Sequence, residues 1–310
     1  MLKTSLAFSG LAVGLCLVAC SSTTAGSTGT PAGACDAFAQ AVCNKLQECI
    51  PIGITAQYGD VAQCTVRTRQ TCTTILGATG TGTTPAAINT CTSAYQGAAC
   101  NALFAGAVPD ACKAPGGTLT DGTACGDDSQ CVNRNCSRTT DPVCGHCAPR
   151  GGAGSACVQS GDCLEGLFCN ATGKCVEPAK QGAVCSATTT CQPDLACQNG
   201  KCDAPLALGA PCDPAASACN ALEGHQCGAS KTCEALKFAK TGEASGFVNG
   251  QITACAAHGH CTITAGAQGG TCMAAAPDGA ACDTQKGPLC QGPASCVKGV
   301  CTFPDPNACK

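Results

Sequence analysis

Two short stretches bring sulfur and imidazole close enough for chemistry. Cys144-Gly145-His146-Cys147 is a Cys-x-x-Cys pair with an imidazole between the thiols. Such a pair exchanges disulfides when the His and a helix N-terminus lower a thiolate pKa. That arrangement needs a strand before the pair and a helix after it. Here Ala148-Pro-Arg-Gly-Gly-Ala-Gly154 follows, which reads as a loop. Structural bridges are therefore the expected use of both cysteines. The second stretch, Cys255-Ala-Ala-His258-Gly-His260-Cys261, carries soft ligands that suit zinc or copper. A site of His258, His260 and a thiolate from Cys255 or Cys261 would need one of those cysteines unpaired. Neither a second Cys-x-x-Cys nor a downstream His pair completes a zinc signature, so no metal and no cofactor is expected.

Other catalytic materials are scarce. There are four histidines, at 146, 225, 258 and 260, and no Gly-x-Ser-x-Gly, His-Glu-x-x-His or phosphate-loop pattern. Gly77-Ala-Thr-Gly80-Thr-Gly82 lacks both a dinucleotide fingerprint and a preceding strand. Asp127-Asp128 reads as ordinary surface solvation rather than a catalytic carboxylate pair. Asn135-Cys-Ser137 and Asn170-Ala-Thr172 match the glycosylation sequon and are read as coincidental. A catalytic site also needs a rigid, dry pocket to shift pKa values, and this composition offers few ways to build one. The expectation is a protein that is not an enzyme.

The elements that must position these residues are held by sulfur. The chain has 310 residues and 35 Cys, about 11%, above the roughly 8–10% that marks a disulfide scaffold. Val, Leu, Ile and Phe total 45, eight of them in the first twenty positions. In the remainder they make up about 13%, against a floor of roughly 20% for an ordinary core. Net charge is only −3, so repulsion does not explain the shortage. These figures exclude a large single-core cytosolic enzyme, a multi-span membrane protein and a basic nucleic-acid binder.

The amino-terminal end reads as an address. Met1-Leu2-Lys3 precedes an apolar run from Leu6 to Ala19, too short to span a bilayer core of about 30 Å. Residues 1–19 are thus a signal peptide. Ser21 to Ala34, SSTTAGSTGTPAGA, reads with Cys20 as a flexible tether over 20–34.

Two cysteine grammars follow. In 35–113, Cys35, Phe38, Val42, Leu46 and Cys49 step at helical spacing, as do Val61, Cys64, Thr68, Cys72 and Ile75 after Gly59-Asp60. Thr84-Pro85 starts a third helix, and Asn101 to Ala107 a short fourth turn. Eight cysteines here allow four internal bridges. From 114 to 310 the pattern is Gly-x-x-Cys, beginning at Gly122, Gly154, Gly182, Gly209 and Gly279, while Gly242-Glu-Ala-Ser245 has Ser in place of Cys. Asn199-Gly200 inside Cys197–Cys202 predicts a two-residue hairpin turn. The fold class is a small disulfide-rich protein: a disulfide-stapled α-helical domain, then an array of short β-hairpin modules, expected as an elongated string. Four cysteines per module allow three pairings, which spacing does not decide.

Leu17-Val18-Ala19-Cys20 resembles the lipobox of bacterial lipoprotein precursors. The resemblance implies lipidation of Cys20, cleavage before it and, with Ser21-Ser22 following, passage to the outer membrane. The repeats from Gly122 to Cys301 resemble Dickkopf-type N-terminal cysteine-rich modules. The layout as a whole resembles cysteine-rich lipoproteins of gliding, myxobacterial-type soil bacteria. It implies an envelope protein with no assigned chemistry, partnered by the membrane through its anchor and by an unknown protein or surface ligand. Surface interaction, adhesion or protection is the expected work. A secreted-protease inhibitor, or a metal- or thiol-binding envelope protein, is the alternative.

Setting aside Cys16 and Cys20 leaves an odd number of cysteines. The unit containing Ser245 has lost a partner, so one of Cys255, Cys261 and Cys272 is expected to carry a free or intermolecular thiol.

Overall fold

The computed structural model describes residues 29–104, 109–113, 115–138, 143–186, 189–214, 218–264 and 266–309. Residues 1–19, expected as a signal peptide, and Cys20 lie outside the described residues.

Five helices come first: α1 Pro31–Cys49, α2 Pro51–Gln57, α3 Val61–Leu76, α4 Pro85–Gly97 and α5 Cys100–Phe104. Side-chain caps start three of them. Thr30 accepts from Gly33 N (3.1 Å), Asp60 from Gln63 N (2.8 Å) and Thr84 from Ala87 N (3.2 Å). Helix α1 begins at Pro31, so the tether reading that extended to Ala34 is too long: Ala34 and Cys35 are both wholly buried. The buried stripe of α1 is Cys35, Ala39 and Cys43. Phe38, Val42 and Leu46, expected on that face, are only half-buried at its border. Small side chains let α1 approach α3 and α4 closely, and the bridges Cys35–Cys72 and Cys43–Cys64 lock α1 to α3. Cys49–Cys100 and Cys91–Cys112 complete four bridges internal to this region.

The modules follow as short antiparallel pairs. The first has β1 Ala124–Cys125, β2 Cys136–Ser137 and β3 Gly145–Cys147, in the order β1-β3-β2. Single hairpins form the next three: β4 Phe168–Cys169 with β5 Cys175–Val176, β6 Ala196–Gln198 with β7 Lys201–Asp203, and β8 His225–Cys227 with β9 Cys233–Ala235. The fifth module differs. Strands β10 Lys237–Ala239, β11 Ala244–Val248, β12 Gln251–Cys255, β13 His260–Ile263 and β14 Gly269–Met273 make one sheet ordered β10-β12-β11-β14-β13. Here β10 runs parallel to β12. The last hairpin is β15 Ser295–Val297 with β16 Val300–Thr302.

Each complete module is cross-linked first-to-third and second-to-fourth. Cys157–Cys169 with Cys163–Cys175 is one instance; Cys185–Cys197 with Cys191–Cys202 is another. In five modules sulfurs from both bridges lie within 4.8 Å of one another, so the disulfides themselves form the module core. The Gly of Gly-x-x-Cys has φ between 80° and 84° in all six units. Its N–H donates to the carbonyl of the fourth cysteine, as Gly182 does to Cys202 (2.7 Å) and Gly242 to Cys272 (2.8 Å). A Cβ there would meet nothing within 4 Å, so backbone conformation alone calls for glycine.

Among the described residues the buried apolar side chains are almost all Cys and Ala, with Ile54 and Pro306 the larger ones. Sulfur thus supplies what aliphatic burial does elsewhere.

The array is not an elongated string. Cys144–Cys309 joins the first module to the chain end across 165 residues. Asn307 beside it accepts from Thr79 N (2.8 Å) and donates to the Gly77 carbonyl (3.1 Å). The fifth module caps α2: Ala257 N donates to Thr55 O (3.0 Å) and His258 N to Ala56 O (2.6 Å). Ala257 and His258 both have positive φ, near 55°, a conformation that docking onto these helix-end carbonyls holds in place. From the last module, Asp278 pairs with Arg67 of α3 at 2.7 Å. The modules therefore fold back onto the helices.

Candidate functional site

A pocket of about 420 Å³ lies where the helices meet the first and last modules. Its walls are Phe38 of α1, Tyr58, Ile75 of α3, Ile88 of α4 and the Cys91–Cys112 bridge, with Pro293 from the last module. Polar groups at the pocket are Arg67, Thr68, Thr71, Thr83 and the run Asp127-Asp128-Ser129. The composition offered few ways to build a pocket, and this one is built from half-buried aromatic and aliphatic side chains beside a disulfide.

The first module delivers its carboxylates on a 3₁₀ turn, Asp128–Gln130, capped by Asp127. Asp127 Oδ1 accepts from Ser129 N (2.9 Å) and Asp128 Oδ1 from Cys136 N (2.8 Å). Gln130, buried beneath, accepts from Gly126 N (2.8 Å) and donates to Thr79 O (2.9 Å), fastening the turn to the helical domain. Ser129 O receives Gly82 N (2.8 Å). Asp127-Asp128 is thus a fixed feature of the pocket rather than simple surface solvation. Burial pushes the Asp128 carboxyl above the usual carboxylate range, opposed in part by the Cys136 N–H.

Arg67, also at the pocket, has every guanidinium N–H committed. Nε donates to Gly292 O (2.8 Å), Nη1 to Asp278 (2.7 Å) and Gln70 (3.2 Å), and Nη2 to Asp278 (2.8 Å) and Gln291 O (3.1 Å). Its face lies 4.8 Å from the Phe303 ring centroid. Arg67 is a clasp between helix and last module with no donor left for a ligand.

The sulfur and imidazole groups singled out by sequence are dispersed. Cys144 bonds Cys309 and Cys147 bonds Cys131, with Gly145–Cys147 on strand β3. The two are never a dithiol pair with each other. Cys255 is bonded to Cys272, which removes both as free thiols and Cys255 as a ligand. The remaining thiol is Cys261, half-buried. His258 Nδ1 sits 2.5 Å from the Cys290 carbonyl, and the His260 ring packs against Gly287. Both imidazoles join the fifth module to its neighbours, so the proposed His258, His260, Cys255 and Cys261 ligand set does not assemble. Cys261 Sγ instead accepts from Ser245 Oγ at 2.7 Å.

Together these features define a small disulfide-rich protein of helical domain and hairpin modules, closed by a long-range bridge around an apolar pocket. No family model, curated protein or solved structure matches the chain.

Proposed function

We propose that this is a non-enzymatic lipoprotein of the cell envelope, anchored in the outer membrane through lipid on Cys20 and presenting a disulfide-fixed scaffold for surface interaction, adhesion or protection. The observation that carries the reading is the covalent framework: sixteen disulfides among the described residues, one of them closing the module array onto its own start. Such a framework forms and persists in an oxidising compartment. Loops fixed in advance bind at little ordering cost and give proteases few unfolded segments to cut. Among the described residues no helix is long and apolar enough to cross a membrane.

Radiolabelled palmitate fed to a Gram-negative host expressing the full chain tests the anchor. Label in the membrane fraction that is lost in Cys20→Ser is the expected result; a labelled Cys20→Ser protein, or a reduced cytosolic one, overturns it. Retention of envelope partners by the oxidised but not the reduced mature protein tests the interaction role, and equal retention by both argues against a disulfide-fixed surface.

A further inference from the structure

The pocket carries an inference that goes beyond envelope anchoring and does not depend on it. At about 420 Å³ it falls at the lower end of the roughly 300–1,000 Å³ typical of small-molecule sites. Its walls are mostly apolar, and its charged groups are unequally available. Arg67 spends all its donors on Asp278, the Gln70 side chain and backbone carbonyls, so it offers nothing to an anion. Asp127 and Asp128 lie side by side on a turn fastened by Gln130, and a carboxylate has about four acceptor sites. Asp128 accepts one backbone hydrogen bond, from Cys136 N, which leaves most of its capacity unspent. Arg138 and Arg150 draw the Asp128 carboxyl down only weakly, less than burial raises it. Arg138 is committed to the Gly126 and Val143 carbonyls, and Arg150 to the Arg134 carbonyl.

We propose that this pocket binds a small, mostly apolar molecule bearing one primary ammonium group, its apolar part against Phe38, Tyr58, Ile75 and Ile88 and its ammonium at Asp127-Asp128. An ammonium supplies hydrogen-bond donors and opposite charge to a half-buried carboxylate that accepts a single backbone N–H, and charge-assisted hydrogen bonds are the stronger kind. A carboxylate-bearing ligand meets like charge there and finds no free donor on Arg67. Three walls come from separate elements, so the ligand also senses whether helices and modules are docked.

The probes are n-octylamine, n-octanol and n-octanoate, titrated at neutral pH into the oxidised mature protein and followed by calorimetry and by tyrosine fluorescence, to which Tyr58 in the pocket and Tyr95 contribute. The protein has no Trp to mask that signal. Saturable one-to-one binding of octylamine, at least tenfold tighter than octanol and tighter still than octanoate, is expected. Asp128→Asn keeps an acceptor for Cys136 N; it should cut octylamine affinity about tenfold and leave octanol unchanged. Ala87→Leu fills the pocket and should remove binding of both. Each variant is checked for a single alkylatable thiol, the sign of intact disulfides. If Ala87→Leu fails that check, methyl shift changes confined to Ile75 and Ile88 in the unmodified protein locate the ligand instead. Octanoate binding as well as the amine, no binding of any probe, or shifts elsewhere on the molecule would overturn the proposal.

Discussion

Ser245 Oγ lies 2.7 Å from Cys261 Sγ, in the place that a first-to-third disulfide fills in each of the other five modules. The second-to-fourth bridge, Cys255–Cys272, is present, so the fifth module holds half of the usual pair. Its five-stranded sheet does the work of the missing bridge, since strand pairing now closes what sulfur closes elsewhere. Ser245 is fully buried, and its hydroxyl needs the sulfur as a partner. Ser245→Cys should therefore form a seventeenth disulfide with little backbone movement. Intact mass under alkylation reads it directly: the parent takes up one equivalent of N-ethylmaleimide at Cys261 and the variant none. A loop of this length adds about 2–3 kcal/mol in the chain-entropy account. Continued labelling of two thiols in the variant would mean the backbones are too far apart to bridge.

Arg67 and Asp278 form the charged clasp between α3 and the last module, with side chains 6% and 30% exposed. Removing the carboxylate leaves a buried guanidinium without its counter-ion. Loss of a fully buried pair costs about 3–5 kcal/mol; Asp278 is partly solvated, so Asp278→Asn should cost about 2–3 kcal/mol in chemical denaturation. The hydrogen bonds from Arg67 hold the Asp278 carboxyl below the usual range. Stability from this pair is present above the unfolded pKa, near 3.9, and is lost as pH falls through the lower folded value. Asp128, raised by burial, works in the opposite sense, stabilising the fold as pH falls through its raised value. Asp278→Asn should therefore flatten the acid limb of the stability curve, and Asp128→Asn should steepen it. An unchanged acid limb in both would show that neither carboxyl couples to folding.

The Gly-x-x-Cys repeat was legible as punctuation, and its physical cause is a positive φ that lets the Gly N–H reach the fourth cysteine's carbonyl. Helices α1, α3 and α4 could be read from periodicity and caps, because Asp60 and Thr84-Pro85 are local signals. Helix α2 could not: seven residues, PIGITAQ, have too few turns for a period and no side-chain cap. The Asn249-Gly250 turn between β11 and β12 carries the same local signal as Asn199-Gly200, but the spacing of the fifth unit hid the sheet around it. The pocket was illegible, since Phe38, Ile88 and Asp128 come together only through long-range docking. The pairing of Cys144 with Cys309 was equally hidden, because nothing within either segment specifies a partner 165 residues away.

Gly182 tests whether that glycine is conformational or a matter of packing. Its φ is 80°, and nothing lies within 4 Å of where a Cβ would stand. Gly182→Ala should cost about 1–2 kcal/mol through the left-handed backbone alone. Gly182→Asn should cost less, because Asn tolerates that region. Amide exchange at Cys202, whose N–H donates to Ala183 O (2.9 Å), reports the module locally. Equal protection in parent and Ala variant would mean the turn relaxes to another conformation.

Cys144→Ser with Cys309→Ser tests the closure itself. Every other disulfide lies within the helical domain or within one module, so fifteen should still form and Cys261 should remain the one reactive thiol. An uncross-linked loop of this size would be worth about 5 kcal/mol. The intervening bridges shorten the effective loop, so about 2–3 kcal/mol is expected here. The loss should appear first at the seam: the amide of Thr79, which donates to Asn307 Oδ1, and that of Gly82, which donates to Ser129 O, should exchange faster than amides inside the hairpins. Closure by the Cys144–Cys309 disulfide and docking by Arg67–Asp278 both tie the carboxy-terminal part of the array back to the rest of the protein. Combining the double Ser variant with Asp278→Asn should therefore destabilise by less than the sum of the two, because each connection favours the other and their shared contribution is lost only once. Strict additivity in that cycle would show that the last module is held to the helices by two independent contacts and that the array has no cooperative closure.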